Sequence, residues 1–298
     1  SFSRYVATKT ELTNIDSMLT VSYAINDNIS MGVGMIYDVS EISKSKALNQ
    51  QPGSDGFSQL KGEDDAFGYT VSGLFKVNEK HQFGLQYRSI IESNYVGKVH
   101  LDSLSDAGST PLATIFGGAN YTTRAEASLT LPQSIVLGYS FRPTDRWVIN
   151  LDAEWMDWST VEQERVSFPD ESNATRLAVL TTSTSSDKDW KSVMSIGVGT
   201  EYKFSEETRL RAGYFWHQTP IPEGTFDTTL PDSDSHGFNL GFGVDMTEDL
   251  TLDLAWTGIM YEKRDVNNAI GNSVGADLDG KYRNFTNLFI ATLNYSFQ

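Results

Sequence analysis

Residues 237–246, GFNLGFGVDM, alternate strictly between large apolar residues and small or polar ones. One face of an extended chain would carry Phe238, Leu240, Phe242, Val244 and Met246, and the other face Gly237, Asn239, Gly241, Gly243 and Asp245. A period of two residues is typical of a β-strand whose two faces meet different environments. Residues 29–37, ISMGVGMIY, repeat the pattern, and helical spacing is nowhere as regular. The sequence therefore predicts an all-β chain.

Eleven such strands are predicted, at residues 13–25, 29–42, 66–77, 81–101, 122–141, 146–167, 190–204, 208–218, 236–246, 250–264 and 281–297. Tight polar turns alternate with long connections, near residues 43–65, 102–121, 168–189, 219–235 and 265–280. Short turns on one side of the membrane and long loops on the other are typical of outer-membrane barrels. Because the hydrocarbon core offers no water to backbone groups, a spanning sheet must close on itself. We therefore predict one antiparallel transmembrane β-barrel domain over residues 1–298.

The predicted topology indicates that strands are missing from the start of this barrel. The first predicted strand ends at a short turn and the last one follows a long loop, so both run in the same direction. Bacterial barrels of a single chain have an even number of strands, with both termini on the periplasmic side. Eleven strands is an odd number. We therefore expect the chain to be incomplete at its N-terminus.

Composition excludes several other classes of protein. Among 298 residues, 39 acidic and 23 basic side chains give a net charge of −16, which disfavours nucleic acid as a partner. The absence of cysteine removes thiol catalysis, thiolate metal sites and disulfides. No apolar run approaches the roughly 18 residues of a membrane helix. The four histidines show no metal-ligand spacing, so no metal or cofactor is expected.

Four residues are predicted to bind a ligand. Lys191 stands beside Trp190 at the outer end of strand 190–204, Lys44 follows strand 29–42, and Arg88 lies on the polar face of strand 81–101. A cation next to an aromatic ring at a barrel mouth could bind a carboxylate while the ring packs against an alkyl tail. The alternative is ordinary lumen polarity, in which these cations pair with neighbouring acids.

Three segments of the chain resemble the FadL family of outer-membrane transporters for long-chain fatty acids and other hydrophobic compounds. They are LTLPQSIVLGYSFRPTDRWVINLDAEWMDWSTV (129–161), WKSVMSIGVGTEYKFSEETRLRAGYFWHQTPIPEG (190–224) and TLPDSDSHGFNLGFGVDMTEDLTLDLAW (229–256). The resemblance implies a 14-stranded barrel with an N-terminal hatch in its lumen. The hatch and about three strands would then be absent from this chain, in agreement with the odd strand count. In the resemblance, Lys191 and Lys44 match basic residues that contact a ligand carboxylate.

The leading hypothesis is passive uptake of a hydrophobic molecule across the bacterial outer membrane, through an extracellular groove and a lumen pocket. The resemblance implies long-chain fatty acids or aromatic hydrocarbons as ligands. Outer-membrane lipid and lipopolysaccharide would surround a monomer that has no enzyme activity. A water-filled porin for polar solutes is the main alternative. A lipid hydrolase would need a Ser–His pair, and neither His81 nor His100 has an obvious serine partner. A soluble β protein is a further alternative, which holds only if the protein needs no detergent to stay in solution.

Overall fold

The computed structural model describes residues 2–272 and 275–296, so Phe297 of the last predicted strand lies outside the described residues. The long strands are β1 (Lys9–Ala24), β2 (Ile29–Leu48), β3 (Gly56–Lys76), β4 (His81–Arg88), β5 (Ile91–Asp102), β6 (Tyr121–Leu131), β7 (Ser134–Thr144), β8 (Trp147–Met156), β12 (Val193–Lys203), β13 (Thr208–His217), β14 (Ser235–Asp245), β15 (Leu250–Tyr261) and β18 (Phe285–Tyr295). Five short strands lie in the connections: β9 (Gln163–Glu164), β10 (Val166–Ser167), β11 (Ser186–Asp187), β16 (Arg264–Val266) and β17 (Gly280–Tyr282). Two short helices, α1 (Leu112–Phe116) and α2 (Ala174–Thr184), complete the elements with three 3₁₀ turns. The prediction of an all-β chain is confirmed.

The long strands form one antiparallel sheet. Most chain neighbours pair with each other, but β4 and β5 both pair with β3, and β4 then pairs with β7 while β5 pairs with β6. Short turns join β1 to β2, β3 to β4, β7 to β8, β12 to β13 and β14 to β15 at one end, called here the turn end. The long connections lie at the opposite end, called the loop end. Among the described residues, β1 forms a ladder with β2 alone and β18 with β15 alone. The alternation of short and long connections is therefore present as predicted.

The predicted count of eleven strands is wrong, because residues 2–272 and 275–296 contain eighteen. Two predicted strands are interrupted: 81–101 is divided between β4 and β5, and 122–141 between β6 and β7. At the first interruption the amide of Tyr69 donates to the hydroxyl of Ser89 instead of to a carbonyl. At the second stands Pro132, which has no amide hydrogen for the ladder. The five short strands account for the remaining difference.

Strand lengths also differ from the prediction at the loop end. β2 and β3 contain 20 and 21 residues and extend into the predicted connection 43–65. Their ladder continues to the pair Leu48 and Gly56. Most residues of this extension are polar and they occupy both faces, so the alternation that reveals a membrane-facing strand is missing there. In contrast, the predicted strand 146–167 ends early, at Met156.

The polarity of the two faces of the sheet is the reverse of that in a soluble protein, because apolar side chains are exposed and polar ones are buried. On β2, Met31, Val33 and Met35 are 52–55% exposed, whereas Asp38 and Ser40 on the other face are buried. A contiguous exposed apolar surface marks contact with a membrane or another protein. No helix within the described residues is long and apolar enough to cross a bilayer.

A small apolar core lies at the loop end. Val99 and Leu101 of β5 pack there against Phe116 of α1 and Leu180 of α2, with Phe168 from the connection between them. A second cluster joins Ile221 and Phe226 to Val266 of β16. The long connections are thus folded onto the sheet, and they build most of the cavity walls described next.

Candidate ligand-binding cavity

A cavity of about 230 Å³, called here the inner cavity, lies where β1, β2, β5 and β6 meet the long connections. Its apolar wall is formed by Leu12, Ile42, Tyr95, Leu129, Trp190 and Ile221. Ile42 and Tyr95 are almost fully buried and project from the inward face of the sheet. Enclosed apolar walls with a few polar groups are the usual character of a small-molecule site.

A second cavity of about 350 Å³, called the outer cavity, lies closer to the loop end. Lys46 and Ser58 line it, and both lie nearer than Ile42 to the loop end of the ladder between β2 and β3. The two cavities share six residues: Thr10, Lys44, Glu164, Lys188, Asp227 and Thr229. Four of these six are charged, so a charged wall separates an apolar compartment from a more polar one.

This wall, called the charged partition, consists of Lys44, Glu164, Lys188 and Asp227. Lys44 forms a salt bridge with Glu164. The Nζ atom of Lys188 lies 2.8 Å from Oδ2 of Asp227 and 3.7 Å from Oε2 of Glu164. Lys188 and Asp227 are 7% and 8% exposed, so this pair is removed from water. The partition contains two cations and two anions in contact with each other.

Electrostatics keep the buried pair ionised. Burial alone would lower the pKa of Lys188, but the nearby carboxylates of Asp227 and Glu164 outweigh it and the pKa is raised. Burial alone would raise the pKa of Asp227, but the ammonium of Lys188 and hydrogen bonds from Lys188 and Thr229 hold it below its usual value. Both side chains are therefore charged at neutral pH.

Four separate segments bring these side chains together. Lys44 extends from β2, and Glu164 belongs to β9, which pairs with β11 through Ser186. Lys188 follows β11, and its backbone amide donates to the carbonyl of Glu162 at 2.8 Å. Asp227 accepts a hydrogen bond of 2.7 Å from the amide of Thr229. The partition therefore depends on the folding of the connections and not on one strand.

The structure brings two of the four predicted ligand-binding residues to the inner cavity. Trp190 and Lys44 both line it, and Trp190 packs edge-on against Trp158 with ring centroids 5.3 Å apart. The indole N–H of Trp190 is buried and has no hydrogen-bond partner in the described part of the chain. Trp190 thus presents apolar surface to the cavity.

The other two predicted residues lie elsewhere. The side chain of Lys191 is exposed and belongs to neither cavity lining, while its amide donates to the carbonyl of Pro220. Arg88 pairs with Asp16 at 2.5 Å, far toward the turn end from Lys44. Their binding roles stay predictions.

Three of the four partition residues escaped the sequence analysis: Glu164, Lys188 and Asp227. Lys188 and Asp227 lie in predicted connections, where no period indicates which way a side chain points. Glu164 falls in the predicted strand 146–167, but β8 ends at Met156 and Glu164 belongs to the separate short strand β9. The one signal present is that residues 162–164 carry two acids and residues 187–191 carry two lysines. It predicts neither their burial nor the contact with Asp227.

The histidines do not form an evident catalytic or metal site. His81 contacts the hydroxyl of Tyr139 and His100 that of Thr122. Nδ1 of His217 lies 2.5 Å from Oγ of Ser195, a pair that the sequence analysis did not consider. Within residues 2–272 and 275–296, no carboxylate hydrogen-bonds to His217, and no three His, Asp or Glu side chains are placed to hold a metal ion.

Comparison with known proteins identifies relatives along the whole chain. The sequence profile described as "Outer membrane protein transport protein (OMPP1/FadL/TodX)" matches residues 1–297. The long-chain fatty acid transport protein of Escherichia coli K12 is 24% identical over 214 residues, which cover 68% of this chain and 43% of that protein. Outer membrane protein P1 of Haemophilus influenzae is 23% identical over 328 residues, covering 97% and 66%. The chain spans about half the length of the first curated relatives it matches.

Solved structures share the fold. A Pseudomonas aeruginosa FadL homologue superimposes with a TM-score of 0.84 at 22% identity, covering 99% of this chain and 70% of that one. The Ralstonia pickettii toluene transporter TbuX gives a TM-score of 0.65 at 14% identity, covering 96% and 68%. The family resemblance inferred from the sequence is confirmed. The chain belongs to the OMPP1/FadL/TodX family of outer-membrane transport proteins.

Proposed function

We propose that the protein mediates passive uptake of hydrophobic molecules across the bacterial outer membrane, and that the inner cavity binds them on the way. The observation that carries this proposal is a largely apolar cavity between the long connections and the inward face of a sheet whose outward face is also apolar. Family membership supports it, and so do relatives named for the transport of long-chain fatty acids and of toluene.

The size of the inner cavity favours a compact ligand. An engineered apolar cavity of about 150 Å³ binds benzene. About 230 Å³ therefore accommodates a benzene-sized ring with a few further carbons. A long alkyl chain would extend through the charged partition into the outer cavity. Burial of apolar ligand surface would contribute about 25 cal/mol per Å².

The complete protein is proposed to be a monomeric 14-stranded barrel with a hatch. Across the sheet, β4 and β5 share one strand position and β6 and β7 share another, so the thirteen long strands fill eleven positions, and three further strands would join β18 to β1. Residues 1–298 would be one domain of it, surrounded by outer-membrane lipid and lipopolysaccharide. Within the proposed site, Trp190 forms part of the apolar wall and Lys44 orients polar groups of the ligand. Lys191 and Arg88, which line neither cavity, are proposed to contact polar groups of the ligand outside the inner cavity. Even strand number and closure are what a spanning sheet requires.

The membrane-facing surface can be tested with two adjacent residues of β8. Leu151 is 46% exposed on the apolar face, and Asn150 lines the opposite, inward side. Leu151→Arg is expected to destabilise the protein in a bilayer by about 2–4 kcal/mol, because the charge would enter the hydrocarbon core. Asn150→Arg is the matched control and is expected to be tolerated. Urea unfolding in vesicles measures both, and equal effects would contradict the assignment of faces.

The function itself is tested with the complete protein extracted from outer membranes in mild detergent. Mass spectrometry of co-purifying small molecules is expected to find hydrophobic compounds enriched over the lipid background. A Lys191→Ala sample is run in parallel, and loss of fatty acids from it alone would support carboxylate capture at Lys191. Planar-bilayer recording is expected to show little ion conductance. High conductance without any enriched ligand would favour the porin instead.

A further inference from the structure

The charges around both cavities cancel. The inner cavity is lined by two lysines and two acids, which are the four residues of the charged partition. The outer cavity adds Lys46 and Asp187 to the same four, giving three cations and three anions. Neither compartment therefore has the excess positive charge that would compensate an anionic ligand transferred from water.

Glu164 holds the position that a ligand carboxylate would need. It forms a salt bridge with Lys44 and also lies 3.7 Å from Lys188, so it contacts both cations of the partition. Its backbone is fixed by the ladder between β9 and β11. A ligand carboxylate approaching the same lysines would meet Glu164 and Asp227 at short range. Like charges at such distances repel strongly where water is scarce.

An uncharged ligand avoids this conflict. It needs only the apolar wall of Ile42, Tyr95 and Trp190, and it leaves the salt bridges of the partition intact. A hydroxyl or ester oxygen could still accept a hydrogen bond from a lysine without adding net charge. The charge count and the position of Glu164 therefore point to the same class of ligand.

We propose that Glu164 determines which ligand charge the inner cavity accepts: the cavity selects uncharged hydrophobic molecules, such as hydrocarbons, alcohols and esters, over carboxylates of equal size. This inference rests on the proposed function, because it assumes that the inner cavity is where the ligand binds. Removing the charge of Glu164 leaves one net positive charge beside the cavity and admits the carboxylate. Glu164 is thus a specificity-determining residue.

The test uses toluene, 1-octanol and octanoate as probes, titrated at pH 7 into the complete protein in detergent by calorimetry. The wild type is expected to bind octanol at least tenfold more tightly than octanoate. Glu164→Gln is expected to raise the ratio of octanoate affinity to toluene affinity at least tenfold. Glu162→Gln is the control, because Glu162 is an exposed acid two residues away that lines neither cavity.

The outcomes separate this inference from the function on which it rests. If the wild type binds toluene but binds octanoate as tightly as 1-octanol, or more tightly, the inference alone is overturned. That comparison needs no variant. A ratio of octanoate to toluene affinity that is unchanged in folded Glu164→Gln, or that rises equally in Glu162→Gln, would also overturn it. Failure of all three probes to bind the wild type would overturn the proposed function, and the inference with it.

Discussion

Lys188→Met is expected to release the connection around Asp227 from the loop end of the sheet. The substitution leaves a buried carboxylate beside Glu164 without its main cation, since Lys188 and Asp227 are both less than a tenth exposed. Removal of one partner from a buried ion pair typically costs about 3–5 kcal/mol. Hydrogen–deuterium exchange of peptides covering residues 184–192 and 223–230 is expected to accelerate about a hundredfold or more.

Two controls show whether the buried charge is responsible. Lys191→Met removes an exposed lysine three residues away and is expected to leave exchange unchanged. Lys188→Met combined with Asp227→Asn removes both charges of the pair and is expected to restore most of the protection. Native exchange rates in Lys188→Met alone would show that the pair contributes nothing to the stability of these connections.

The pH dependence of the same protection follows from the two pKa shifts. The pKa of Asp227 is lowered in the folded protein, so its contribution is present above its unfolded value, about 4, and disappears as pH falls through the folded value. The pKa of Lys188 is raised, so its contribution is present below about 10 and disappears as pH rises through the folded value. Between these limits the pair's contribution is expected to be constant.

The strands that face two different environments were predictable within a few residues. The predicted strands 208–218 and 236–246 correspond to β13 (Thr208–His217) and β14 (Ser235–Asp245). Their outward residues meet apolar surroundings and their inward residues a polar lumen, so the alternation is strong. The extension of β2 and β3 beyond residue 42 lacks this contrast, because polar residues occupy both of its faces there. A pattern of hydrophobicity therefore ends where the difference between the two environments ends.

The candidate site was predictable only where it rests on strands. Lys44 lies on the same face of β2 as buried Ile42, and that face follows from the alternation. Lys188 precedes Asp189, whose φ of 47° lies in the left-handed region, and no pattern in the sequence indicates that backbone conformation. Its partner Asp227 is 39 residues further along the chain. Such a contact depends on how long connections pack together, about which local periodicity says nothing.

Ala127→Trp is expected to abolish ligand binding by filling the inner cavity. Ala127 lies on β6 opposite Tyr95, a buried residue of the inward face, and both line the cavity. An indole ring is about as large as the compact ligands that a cavity of about 230 Å³ fits, so ring and ligand compete for one space. Toluene affinity in calorimetry is expected to fall at least a hundredfold.

The matched control for this substitution is Ala153→Trp on β8. Ala153 lies two residues from exposed Leu151 and so shares its outward face, where an added aromatic ring would meet lipid. Toluene binding is expected to be unchanged in that variant. If Ala127→Trp folds and still binds toluene with wild-type affinity, the ligand binds elsewhere on the protein, and the apolar wall around Trp190 is only structural packing. If binding is lost in Ala127→Trp alone, the ligand must occupy the space between β6 and the charged partition, which is where Glu164 could act on its charge.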